Sequence, residues 1–343
     1  MATEVDAFVD DPRFNQNFEL LSSLGSTIKV TYADYGYRNE AHPEEETVLL
    51  WFGPMMASRL IGILRDKAAR QDKIRIIAID RPGMGGTDAV PGESRIRICR
   101  EVVIALLDKL SIQHVCLAAH SGGTVYALDT LLHHPGILSP SRPYLALGAP
   151  WLLPKHTSST AMAMIQRLPT SVVGNTHQLM KVMRQLGGSS IASSLASSTP
   201  SRTAETGDEL QIIQKMWPSI VNRMHSENTE GVSAEALLLL QKVGNGSGWD
   251  DWGDYDLLIP RLVQSLRAAN RGLRLEIFYA EKDWMIGDAG SRGPAWFDGC
   301  WTTQAAEVVD HHSRVVAGAD HDTVWDLQWD ATRTLFESIR AVR

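Results

Sequence analysis

Three side chains that could act as nucleophile, base and orienting acid follow one another along this 343-residue chain. Ser121 lies in HVCLAAHSGGTVY, directly after an apolar run and directly before a helical pattern, TVYALDTLL. Asp283 follows the apolar run LRLEIFYA, and His321 follows the run SRVVAGA. A serine hydroxyl is a weak nucleophile until a base removes its proton, and that base needs a third group to fix its tautomer. The order predicts Ser121 as nucleophile, His321 as base and Asp283 as the orienting acid.

The turn at Ser121 differs by one residue from the G-x-S-x-G pattern of serine hydrolases, because Ala119 stands where the first glycine is expected. A strand, a tight turn and a helix are what a nucleophile elbow requires, and the flanking positions must be small. Gly123 meets that requirement, and Ala119 adds only a methyl group. The alternative is that Ser121 caps the following helix. The two partners favour catalysis.

Other titratable residues surround these three. Glu281 lies closer to its strand than Asp283, and Asp288 lies further along the loop, so we favour Asp283 as the acid. We expect His120 to point away from Ser121, Asp320 and Asp322 to orient their loop or cap a helix, and the pair at 311–312 to precede the last strand. These expectations leave His120, Asp320, Asp322, His311 and His312 out of the predicted catalytic set.

Short apolar runs alternate with helical patterns on both sides of a different central region. Runs of this kind are typical of strands buried on both faces of a parallel sheet. The predicted strands are 26–36, 46–53, 73–80, 114–120, 144–150, 273–280 and 313–319. The predicted helices are 57–71, 94–110, 124–132, 257–270, 295–309 and 323–340.

The alternation stops between about residues 155 and 253, where Met-rich helical stretches and the Ser-rich segment GGSSIASSLASSTPSRT replace it. A sheet domain interrupted by a helical insertion is the simplest arrangement. We therefore expect an α/β fold in which 1–151 and 256–343 build the core and 152–255 form a helical cap or lid.

Four motifs, AAHSGG, IIAIDRPGMGGTD, AEKDWM and AGADHDT, give the chain a resemblance to the α/β-hydrolase superfamily. It resembles the branch with a serine nucleophile, over about 30–150 and 256–343, and is loosely similar to fungal secondary-metabolite hydrolases. The resemblance implies a mostly parallel central sheet flanked by helices, with a lid over the nucleophile. It also implies that Asp80 and Arg81 hold structure and are not catalytic.

An oxyanion hole would need two backbone N–H groups aimed at the developing charge. The resemblance implies Gly122, directly after the nucleophile, as one donor. Family members often carry His-Gly-X-Pro in the loop that reads WFGPMM here, with X donating. Aligning on the proline makes Gly53 the second donor, whereas a shift by one residue would place Pro54, which has no N–H, at that position.

The predicted cap is rich in methionine and tryptophan, residues that fill irregular apolar space and offer flat apolar surfaces. Most of them are expected to pack the cap against the core. Together with side chains near the predicted site they indicate a roomy apolar pocket. We expect the substrate to contact Phe52, Met55, Met56, Trp284 and Trp217.

These features predict a carboxylic ester hydrolase that forms an acyl-enzyme with a hydrophobic ester, thioester or polyketide-like small molecule. Two alternatives stay open: a non-hydrolytic, C–C bond-cleaving or cyclising enzyme of secondary metabolism, and a non-catalytic receptor on the same scaffold. A serine nucleophile argues against epoxide hydrolases and haloalkane dehalogenases, whose members in this fold use aspartate.

Composition limits the partners and the compartment. The net charge of −7, without a basic stripe, argues against nucleic acid. The three cysteines show neither metal-ligand spacing nor a disulfide framework, so we expect no metal, no cofactor and a reducing compartment. No apolar run of membrane-spanning length and no signal peptide is recognised, which predicts a cytoplasmic protein. A homodimer is left open.

Overall fold

The structure, a computed structural model, describes residues 2–186, 207–244, 249–302 and 307–341. The Ser-rich segment 187–203 lies outside these described residues.

An eight-stranded sheet forms the centre of the molecule. Its spatial order is β1-β2-β4-β3-β5-β6-β7-β8, with β1–β2 and β2–β4 antiparallel and the other neighbours parallel. In chain order the strands β1 to β8 are Gln16–Leu21, Thr27–Gly36, Thr47–Phe52, Ile74–Ile79, Cys116–His120, Tyr144–Gly148, Leu273–Lys282 and Val309–Asp320.

Helices cover both faces of this sheet. In chain order α1 to α12 are Ala2–Val9, Asp66–Gln71, Arg95–Lys109, Gly123–His133, Thr160–Arg167, Thr170–Val173, Thr176–Leu186, Gly207–Ser226, Glu230–Leu239, Tyr255–Ala268, Arg292–Thr302 and Asp330–Ala341. One apolar cluster joins the sheet to α3, α4, α10 and α11, and a second joins the opposite face to α1, α8 and α12. Helices α5 to α10 lie between β6 and β7 in the chain.

Strand alternation divides the core between the two faces. Along β3 the side chains of Leu49 and Trp51 belong to one cluster, and those of Val48, Leu50 and Phe52 belong to the other. Successive residues of a strand point to opposite faces, so a strand buried on both sides contributes to both clusters. The predicted α/β class with a mostly parallel sheet is confirmed.

Several element boundaries differ from the sequence prediction. Strand β1 was not predicted, because as an edge strand it buries only Phe18 fully and carries a weak apolar pattern. The predicted helix 57–71 is a 3₁₀ helix over Arg59–Arg65 followed by the short α2, and Gly62, a poor helix former, lies within it.

The last third of the chain holds two further corrections. The expectation that His311 and His312 precede the last strand is wrong: both lie inside β8, which begins at Val309 and pairs with β7 along its length. The predicted helix 323–340 begins only at Asp330, because residues 321–329 form turns. None of the helices in the described ranges is long and apolar enough to cross a membrane.

The end of β3 approaches the start of α4 closely. A Cβ built on Gly123 would lie 2.4 Å from the Phe52 carbonyl oxygen and 2.7 Å from that of Gly53. Backbone atoms cannot swing aside as a flexible side chain can. Glycine at this position therefore lets the two elements touch.

Gly123→Ala should destabilise the protein by about 1–3 kcal/mol, the range seen when a methyl group is forced into a packed site. Gly136→Ala is the matched control, because a Cβ there meets nothing within 4 Å. Thermal and urea unfolding of the purified variants measure both effects. An equal, small shift for the two variants would contradict the packing described for Gly123.

Candidate active site

Ser121 occupies the sharp turn between β5 and α4. Its φ of 50° lies in the left-handed region, which is uncommon for a residue with a side chain. The Ser121 N–H donates to the Gly148 carbonyl at 3.0 Å, and the Ser121 carbonyl accepts from the N–H groups of Thr124 at 2.9 Å and Trp151 at 3.1 Å. These bonds to the end of β6 and the first turn of α4 hold the turn in its strained form.

The three residues predicted as nucleophile, base and acid form one hydrogen-bonded chain. His321 Nε2 lies 2.8 Å from Ser121 Oγ, and His321 Nδ1 lies 2.8 Å from Asp283 Oδ2. The Asp283 carboxylate can only accept a hydrogen bond, so Nδ1 carries the ring proton and donates it. Nε2 is then unprotonated and can accept from the serine hydroxyl. All three side chains are buried. The geometry suits base-assisted nucleophilic attack.

The electrostatic surroundings of His321 act in opposite directions on its pKa. Burial lowers that pKa, but the charge and hydrogen bond of Asp283, together with the charges of Asp322 and Asp320, outweigh burial and raise the pKa above its ordinary value. The second oxygen of Asp283 accepts from the N–H groups of Met285 and Ile286, both at 2.9 Å. These bonds fix the carboxylate in the orientation that faces His321.

The competing acids have other partners. Glu281 accepts from the Gly318 N–H at 2.7 Å, and Asp288 accepts from the Asp283 N–H at 3.0 Å. Asp320 accepts from the N–H groups of Asp322 and Thr323 and so orients its own loop, the role predicted for it.

His120 has a structural role, as predicted, and the structure shows which contact it makes. Its Nε2 lies 2.7 Å from the backbone carbonyl of His321 and must carry a proton to donate there. Burial, together with the neighbouring His321, lowers the pKa of His120 to about 3, so the ring is neutral. His120 therefore anchors the loop that presents the base, a contact that sequence distance alone could not reveal.

A cavity of about 160 Å³ opens above Ser121 and His321. Of the predicted contact residues, four line it: Met55, Met56, Trp217 and Trp284. Phe52 does not, and that prediction is wrong, because its side chain is fully buried in the cluster on the α4 face of the sheet. The preceding residue, Trp51, points to the other face and lines the cavity in its place.

Parts of the segment between β6 and β7 also line this cavity. The contributing side chains from α7 and α8 are Met180, Met183, Trp217, Val221, Met224 and His225. Other aromatic residues of the segment pack elsewhere: Trp249 and Trp252 cluster with Tyr255 in the core. The apolar residues thus divide between core packing and cavity lining.

The cavity also has a polar end that sequence reasoning did not identify. Arg65, Asp322 and Asp326 line it beside His321. The Arg65 guanidinium lies 4.4 Å from the Trp51 ring centre and donates to the Trp325 carbonyl at 3.1 Å. Burial raises the pKa of Asp322 to about 6 and that of Asp326 to about 7. In the sequence, the only sign of this polar end is that Asp322 directly follows His321.

Two groups of His, Asp and Glu among the described residues have donor atoms close enough for a metal ion. Neither group lines the cavity. The exposed one is His42, Glu44 and Glu45; the other is Asp129, His133 and Asp250. In the second, Arg100 already contacts Asp129 at 2.6 Å and Asp250 at 3.1 Å.

No family model matches the sequence, and no curated protein matches it. Solved structures do. A carboxylesterase from the thaumarchaeon Nitrososphaera gargenis is 16% identical with a TM-score of 0.56, covering 95% of this chain and 98% of that one. An enol-lactonase from Burkholderia xenovorans is 12% identical with a TM-score of 0.58, covering 94% and 98%. An epoxide hydrolase from Vigna radiata is 14% identical with a TM-score of 0.54, covering 95% and 96%.

The chain has the α/β-hydrolase fold. The turn after β5 carries Ser121, the predicted nucleophile. The loop after β3 supplies the second predicted oxyanion donor. Among the described residues, neither the Gly53 N–H nor the Gly122 N–H has a hydrogen-bond acceptor. Both groups are free to donate.

Asp283→Asn should lower kcat on an aryl ester on the order of 10⁴-fold, because the neutral amide no longer fixes the His321 tautomer. In the parent protein activity should fall as pH drops through the His321 pKa, which lies above the ordinary value of about 6.5. Without the carboxylate, burial dominates, so the acidic limb of the residual activity should move to lower pH. The pH–rate profiles of both proteins measure this.

Asp288→Asn is the control, since Asp288 has no contact with His321. It should keep the parent profile. An acidic limb that stays in place in Asp283→Asn would contradict the assignment of that limb to His321.

Proposed function

We propose that this protein is a serine hydrolase that cleaves a hydrophobic ester, thioester or related carbonyl compound through an acyl-enzyme. The observation that carries the proposal is the buried hydrogen-bonded chain from Ser121 through His321 to Asp283 at the floor of an apolar cavity. Esterases among the proteins of similar fold agree with it.

The positions of these atoms support the following reaction. Ser121 Oγ attacks the carbonyl carbon while His321 Nε2 takes its proton. The oxyanion that forms accepts hydrogen bonds from the N–H groups of Gly53 and Gly122. His321 then gives the proton to the leaving group, and the acyl group stays on Ser121. Water then attacks the acyl carbon while His321 Nε2 takes one of its protons. The bond between the acyl carbon and Ser121 Oγ breaks, His321 returns the proton to Oγ, and the acid leaves.

We further propose that residues 152–255 act as a cap on a core built from 1–151 and 256–343. The side chains of Met180, Trp217 and Met224 support this, because they line the same cavity as Ser121. A cap over the nucleophile would exclude bulk water and strengthen every charge interaction in the site.

The cavity favours a compact apolar acyl group. An engineered cavity of about 150 Å³ in another protein holds a benzene ring, and the cavity above Ser121 has about 160 Å³. Tryptophan and methionine side chains make up nearly half of the residues that line it. An aromatic or short branched acyl chain fits these walls better than a sugar or a charged metabolite.

A C–C bond-cleaving or cyclising enzyme is the second candidate. Trp51 and Phe52 replace the His-Gly of the oxyanion loop. In addition, Asp322 and Asp326 have pKa values raised to about 6 and about 7, which suits proton transfer to a substrate near neutral pH.

Ser121→Ala should lower turnover of p-nitrophenyl esters by about 10⁴- to 10⁶-fold, because no nucleophile remains to form the acyl-enzyme. It should also abolish covalent labelling by a fluorophosphonate probe. Ser22→Ala is the matched control, since both serines are 4% exposed and Ser22 lies in the β1–β2 turn at the sheet edge.

Retained ester turnover in folded Ser121→Ala would overturn the proposal. A parent protein that resists the probe but converts a β-dicarbonyl compound would support the second candidate instead.

A further inference from the structure

A buried ion network lies beneath the oxyanion loop. Arg81 Nε lies 3.0 Å from both carboxylate oxygens of Glu235, and Arg81 Nη2 lies 2.8 Å from one of them. Arg95 Nη2 reaches the other oxygen at 3.0 Å. The three side chains are at most 1% exposed. Glu235 belongs to α9, so the network joins the segment between β6 and β7 to the core.

The remaining donors of Arg81 hold the oxyanion loop itself. Arg81 Nη1 donates to the Gly53 carbonyl and Nη2 donates to the Pro54 carbonyl, both at 2.6 Å. On the other side of Gly53, the Phe52 carbonyl abuts Gly123. A glycine has no side chain to restrict its backbone. The direction of the Gly53 N–H therefore depends on these external contacts.

The carboxylate of Glu235 stabilises the buried positive charge of Arg81. A charge removed from water without a partner is strongly unfavourable, and a carboxylate in direct contact offsets that cost. Helix α9 also touches the other donor: a Cβ built on Gly122 would lie 2.8 Å from Leu239 Cδ1 and 3.5 Å from Glu235 Oε1. Both predicted oxyanion donors are thus packed against one helix, Gly122 directly and Gly53 through Arg81.

We propose that Arg81 and Glu235 are positioning residues for the oxyanion hole. Through them, α9 sets where the Gly53 N–H points, so the segment between β6 and β7 takes part in transition-state stabilisation as well as lining the cavity. This inference rests on the proposed acyl-transfer function. Neither residue touches the substrate carbonyl; both act through the loop.

Arg81→Lys and Glu235→Gln test the proposal. Lysine keeps the positive charge facing Glu235, but its single ammonium cannot bond both carbonyls and the carboxylate as the planar guanidinium does. In each variant kcat/KM for a p-nitrophenyl ester should fall by about 10- to 100-fold, less than the roughly 10²- to 10³-fold loss on deleting one oxyanion donor.

The decisive readout is inhibitor binding. A trifluoromethyl ketone places an oxyanion in the hole, so its Ki should rise by the same factor as kcat/KM falls. The corresponding secondary alcohol forms no oxyanion, and its Ki should stay within about threefold. A role limited to folding would not separate the two inhibitors.

Glu46→Gln is the matched control, because it neutralises a carboxylate paired with buried Arg75 at the opposite end of β3, where the two side chains are 1% and 3% exposed. It should lower the Tm and leave both inhibition constants unchanged. Unchanged ketone affinity in folded Arg81→Lys, or an equal loss in Glu46→Gln, would overturn the positioning role.

Arg81→Lys decides the question by itself if Glu235→Gln does not fold. Failure of the proposed function is recognised separately, by ester turnover that survives in Ser121→Ala.

Discussion

The backbone of Ser121 is held in the left-handed region, at a cost of about 1–2 kcal/mol for a residue with a side chain. Hydrogen bonds to Gly148 and Trp151, and the close approach of Gly123 to the end of β3, maintain that conformation. The turn aims the hydroxyl at His321, and within the described part of the chain the Gly122 N–H has no acceptor. The geometry of the site depends on this one strained residue.

The parallel sheet gathers the other groups at the same edge. Asp283 follows β7 and His321 follows β8, so each side chain emerges beside the turn after β5. The strands bring these loops close together, and buried hydrogen bonds then fix the positions of the loops. His120 holds the His321 carbonyl, and Arg81 holds the loop around Gly53. Low exposure strengthens these bonds and makes their loss costly.

The sequence was sufficient to predict seven of the eight strands and the meeting of Ser121, Asp283 and His321, because the carboxyl ends of parallel strands share one edge. The sequence was insufficient to predict which side chains line the cavity, because that depends on the face of the sheet to which each side chain points. Phe52 and Trp51 are both large aromatic residues, and only the alternation along β3 sends Phe52 into the cluster on the α4 face and Trp51 to the opposite face, where it lines the cavity. Contacts between distant segments, such as Arg81 with Glu235, leave no local pattern to detect.

Rapid-quench mass spectrometry of the protein with a slowly deacylating aryl ester tests the acyl-enzyme most directly. An acyl-enzyme mechanism predicts that the intact mass rises by one acyl group within the first turnover, and that peptide mapping places the adduct on Ser121. Ester cleavage with no adduct on Ser121 at any quench time, under conditions where deacylation limits the rate, would contradict it.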